Sequence, residues 1–156
     1  MPDIFAQSLA KPLVLVHALA GFVAAATAIH LAVHATTGLR RGAFPARGRT
    51  YAVVMASAFA VCVATGLAAY PSFRVHIRGL FLDRFAPAMT AVFEIKEHLG
   101  ALVVPFVALA LILERAARTE RSAHSAKLFV TTAWIAAATL AACVVMGLVV
   151  TMERGV

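Results

Sequence analysis

Four long apolar runs, Pro12 to Thr37, Tyr51 to Tyr70, Ala88 to Leu113 and Leu128 to Thr151, alternate with short, arginine-rich intervals. Each is about the 20 residues that a helix needs to cross bilayer hydrocarbon. The pattern predicts an all-α fold: a four-helix transmembrane bundle with short loops, in which residues 1–156 form a single integral membrane domain. Gly38 and the basic segment Leu39 to Arg49 read as the first turn. The second helix is expected to stop at Tyr70-Pro71, because proline restricts the residue before it. Pro87 is a favoured first-turn residue for the third helix, and Pro105 should kink it or free a carbonyl for neighbouring groups.

Composition supports the membrane reading. The chain is 62% hydrophobic and 13% charged, with a mean hydropathy of +0.90, whereas about a quarter of residues are charged in ordinary soluble domains. Four crossings leave no room for a soluble catalytic domain. The net charge of +7 does not imply nucleic acid, because the basic residues fall mostly in loops, as membrane topology requires. Arg40, Arg41, Arg47 and Arg49 occupy the first loop, and Arg115, Arg118, Arg121 and Lys127 the third. Lys11, Arg74, Arg78, Arg84, Arg154 and Lys96 belong to the opposite side. That excess predicts an integral protein of a bacterial inner membrane with both termini non-cytoplasmic. Met1 to Ser8 lack the basic start of a cleaved signal peptide, so the first crossing is expected to be retained.

Other features refine the bundle. The first helix is rich in small residues (Ala18, Ala20, Gly21, Ala24, Ala25, Ala26 and Ala28), which suit close helix packing or a flat cofactor. Between Pro71 and Pro87, Arg74, His76 and Arg78 alternate with Phe73, Val75 and Ile77. This reads as a connection lying in the membrane interface. Cys62 and Cys143 sit inside apolar runs and read as small buried apolar residues.

The chemistry lies with the histidines. His17, His30 and His34 fall in the first run, and Glu94-Ile-Lys96-Glu97-His98 opens the third. An imidazole in hydrocarbon needs a metal, a haem iron or another polar partner. Helices one and three run in the same direction, so His17 and His98 share one half of the bundle. Two imidazoles on facing helices, about 4 Å apart across an iron, would ligate a b-type haem axially. Glu94, one turn before His98, would shape that environment rather than bind iron, leaving Lys96 and Glu97 to face water or a partner. Arg74 and Arg78 would pair with the propionates. His30 and His34 are a candidate second site, although His30 lies roughly 140° around the helix from His17.

His17 and His98 on separate helices of a compact bundle resemble the broad class of membrane b-type cytochromes. The resemblance implies electron transport through one haem b, or two if His30 and His34 hold a second. It also implies exchange of electrons with a quinone, a partner redox protein or a membrane complex. Two other readings stand beside it. One is a non-haem metal-binding or metal-transport protein using His17, Glu94, His98 and His76. The other is a structural subunit of a larger membrane complex.

Overall fold

The computed structural model describes residues 5–120 and 122–153. Arg121 and Arg154, both counted in the charge argument, lie outside the described residues, as do residues 1–4. After a short turn at Gln7–Leu9, four long helices follow: α1 (Ala10–Arg41), α2 (Arg47–Phe73), α3 (Pro87–Glu120) and α4 (Ala123–Glu153). No strand occurs among the described residues, and all four helices are long and apolar enough to cross a membrane. They form the expected all-α four-helix bundle.

Around the ring, α1 packs on α2 and α4, and α3 packs on α4 and more loosely on α2. Helices α1 and α3 are therefore diagonal. Small side chains allow the tightest seams. Ala24, Ala28, Ala32 and Ala35 of α1 and Ala133, Ala136 and Ala137 of α4 are almost wholly buried, so the backbones approach closely. The Trp134 indole also donates to Thr36 Oγ1 across the α1–α4 seam at 3.0 Å. Large apolar side chains point outward instead, among them Leu15, Leu67, Ile112 and Val145. That arrangement suits lipid on the outside and alanine within.

Every helix runs past its apolar segment, and the first turn begins later than expected. Gly38 lies within α1, and the chain reverses at Gly42, whose φ of 64° suits glycine in the left-handed region. Ala43 N–H donates to Gly38 O at 3.1 Å and Gly42 N–H to Leu39 O at 3.4 Å, the two bonds of a Schellman ending.

The expected stop at Pro71 is corrected. The helix passes through it to Phe73, continues as a wider π-helical segment, Arg74–Leu82, and ends with one turn at Asp83–Phe85. Proline has a helix-compatible φ, so the helix can continue at the cost of one missing donor and crowding of the carbonyl four residues back; the wider i→i+5 pattern begins only at Arg74. The segment is anchored rather than adrift in the interface. Ile77 and Leu82 are buried in a small cluster with Phe93 and Val150, backed by Tyr70, Phe73 and Met89. Pro87 opens α3 as expected, and α3 runs uninterrupted through Pro105.

Candidate functional site

The interior face of α3 is defined by Val103, Val107, Ala110, Glu114 and Ala117, all buried. Counting back at 3.6 residues per turn, Lys96 falls on the centre of that face, about five turns and 27 Å from Glu114. His98 lies roughly 160° away and Glu94 a similar angle the other way. Both are exposed. The expectation that Glu94 and His98 face inward while Lys96 faces water is therefore reversed. The helical phase is set by the whole length of α3, and the chemistry of one turn does not override it.

Lys96 meets groups from the other three helices. Its ammonium lies within electrostatic reach of His17, Cys62 and Cys143, and of Glu97 on its own helix. A Cβ built at Gly147 of α4 would come 3.3 Å from Lys96 Nζ. The Lys96 carbonyl lies 3.8 Å from Cys143 Sγ, and the Phe93 ring centroid is 5.9 Å from Nζ. Among the described residues no carboxylate comes within 4.0 Å of this ammonium.

His17 faces the same interior from α1. Its Nδ1 is 2.8 Å from the Cys62 carbonyl and 3.4 Å from Cys62 Sγ. A carbonyl oxygen only accepts, so Nδ1–H donates and Nε2 is left with its lone pair. Gly66 makes room for the ring: a Cβ there would lie 2.8 Å from His17 Nδ1. All four helices thus contribute to one half-buried polar cluster, with glycines beside His17 and Lys96. Cys62 and Cys143, read from sequence as apolar filler, both border it.

The other candidate residues lie elsewhere. His98 Nδ1–H donates to Glu94 O on its own helix at 2.7 Å, so the structure does not bring His98 and His17 together. Glu94 pairs instead with Arg78. Arg78 also reaches Asp83 at 3.7 Å, and Asp83 accepts from Thr90 at 2.8 Å. These contacts clasp the π segment to the start of α3. Arg74 is exposed, and His76 donates to Ser72 O at 3.2 Å.

At the opposite end, His30 and His34 both contact Tyr51, with centroids 5.8 and 6.0 Å away. Among the described residues no three His, Cys, Asp or Glu side chains gather closely enough to hold a metal ion.

Sequence reading missed two residues. The sequence pattern places Lys96 toward water or a partner and does not single out Glu114, which is 3% exposed. Their shared phase on α3 was the available signal. Glu114 Oε1 accepts from Arg118 Nε at 3.3 Å. A Cβ at Gly48 would lie 3.0 Å from the His34 ring and 3.5 Å from Glu114 Oε1, so both side chains crowd that glycine. Comparison with family models, curated proteins and solved structures finds no match to this chain, so the residues and their geometry alone carry the functional reading.

Proposed function

We propose that this is an integral membrane electron-transfer protein or subunit for one b-type haem, which His17 would hold through Nε2. The observation that carries the reading is the carbonyl of Cys62 on Nδ1–H. Second partners of this kind fix the tautomer and ring orientation of ligating histidines and raise their basicity. What supports the group is an imidazole base with a free Nε2 near the half-buried Lys96 ammonium, which has no carboxylate within 4.0 Å among the described residues. Lys96 would balance the propionate charge in place of Arg74, which is exposed, and Arg78, which is engaged by Glu94 and Asp83. The haem would supply one-electron chemistry, with a quinone or partner redox protein as its exchange partner.

Absorption spectra of the purified protein and its variants test this reading. His17→Ala should lose the Soret band and the reduced α and β bands, and His98→Ala should keep them. A normal spectrum in His17→Ala, or no haem in the parent protein, would defeat the proposal.

A second reading is favoured by Glu97 and His98, which are exposed on the outward side of α3 close to the level of Lys96. Polar groups facing outward from a membrane bundle suit contact with another subunit, and the two readings are compatible.

For orientation, we infer that the ends carrying the first and third connections are cytoplasmic, since basic residues concentrate there. Cysteines placed at Gly42 or Ser122 should resist an impermeant thiol reagent added to intact cells. Efficient labelling would invert the topology.

A further inference from the structure

A second polar feature lies at the other end of the bundle, between α2 and α3. A cleft of about 150 Å³ is lined by Arg49, Ala52, Val53, Leu111, Glu114, Arg115 and Arg118. Its wall carries three guanidinium groups and one carboxylate. Glu114 is buried and bonded to Arg118 Nε at 3.3 Å, which holds that arginine in place. Arg49 and Arg115 are exposed and make no ion pair among the described residues. Two positive charges are therefore left uncompensated at one small site.

We propose that this cleft binds the phosphate of an anionic phospholipid. The size suits a phosphodiester group: the volume equals about five waters at roughly 30 Å³ each, well below the 300–1,000 Å³ or so of drug-sized pockets. Planar, forked guanidinium groups match phosphate oxygens in pairs. The rest of the lining identifies a lipid as the source. Ala52, Val53 and Leu111 extend the wall into the apolar span, along the loosest seam of the ring, where an acyl chain can lie. Arg49 stands in the first turn of α2, and Arg115 and Arg118 stand in the last two turns of α3. The charged groups are thus at headgroup level with the apolar groups below them. Basic pockets between transmembrane helices recognise phospholipid headgroups by this combination.

Thermal melts of the full chain in neutral detergent test the site, with dioctanoyl phosphatidylglycerol, dioctanoyl phosphatidylcholine and inorganic phosphate as separate probes. Phosphatidylglycerol should raise the melting temperature saturably, and the other two should not. The double substitution Arg49→Gln, Arg115→Gln should raise the half-saturating phosphatidylglycerol concentration roughly tenfold or more. The control pair Arg40→Gln, Arg41→Gln, exposed near the same end of the bundle, should leave it unchanged. Equal loss in the control pair would reduce the effect to diffuse surface charge and overturn the site. Equal stabilisation by phosphatidylcholine would remove the charge recognition, and equal stabilisation by inorganic phosphate would make this a soluble-anion site. Either result also overturns the proposal.

Discussion

Lys96→Met should raise the melting temperature of the apo-protein by a few degrees. The ammonium is half-buried on the inward face of α3 without a carboxylate within 4.0 Å among the described residues. Lysine at the centre of a membrane helix costs about 2.5–3.5 kcal/mol on insertion scales. Lys96 lies nearer the helix end, so the cost there is smaller. The Phe93 ring at 5.9 Å returns about 0.5–2 kcal/mol through cation–π attraction. A net penalty of roughly 1 kcal/mol remains, which corresponds to about 2–4 °C for a chain of this size. Methionine has similar length and flexibility and carries no charge, so it fills the same volume beside Gly147 without the penalty. In haem-loaded protein the same substitution should lower the midpoint potential, because removing a nearby cation favours the ferric state. A lower melting temperature for Lys96→Met would show that the ammonium has a stabilising partner, and an unchanged potential would remove Lys96 from the proposed site.

Gly66→Val should be among the most damaging single changes in the bundle. The first added carbon would stand 2.8 Å from His17 Nδ1 and 2.9 Å from its Cε1, closer than van der Waals contact allows. The ring is tethered to the Cys62 carbonyl one turn before Gly66 on α2, so it can yield only by losing that bond or by pushing α1 from α2. Overpacking costs about 1–3 kcal/mol and the hydrogen bond about 1 kcal/mol, for a total of roughly 2–4 kcal/mol. A haem spectrum dependent on His17 should weaken in parallel. The double substitution His17→Ala, Gly66→Val removes the obstructing ring and should be more stable than the sum of its parts. Purely additive melting data would mean that the valine is accommodated without touching His17.

These two substitutions also mark the limit of sequence reading at the site. His17 could be singled out because a histidine inside an apolar run is costly wherever it points. Lys96 belongs to the same cluster, yet its place depends on the rotation of α3 about its own axis. The residues facing lipid and those facing the bundle are both apolar, so hydrophobicity carries little record of phase. Leu102, Val104, Leu109 and Ile112 face out, whereas Val103, Val107 and Ala110 face in. Apolar character alone does not separate them, and side-chain size does so only in part. The Lys96–Glu114 spacing did hold a clue, since two charged residues five turns apart on one helix share a face. It could be read only with a reason to prefer that face over the one carrying His98.

Sequence alone determined the number of helices, their class and the opening of α3 at Pro87. Each depends on local stereochemistry or on the length of an apolar run. It placed the stop of α2 too early, because proline's local preference was overridden. Ile77 and Leu82 gain a packed site against Phe93 and Val150, and a π-helical path reaches it. Only the tertiary structure decided that α1 and α3 are diagonal, that Arg78 clasps Glu94, and that His17 shares its interior with Lys96 rather than His98. Those outcomes follow from helix order and rotation, which are set by close packing of alanine and glycine faces over the full length of each helix. No short segment of the chain encodes them.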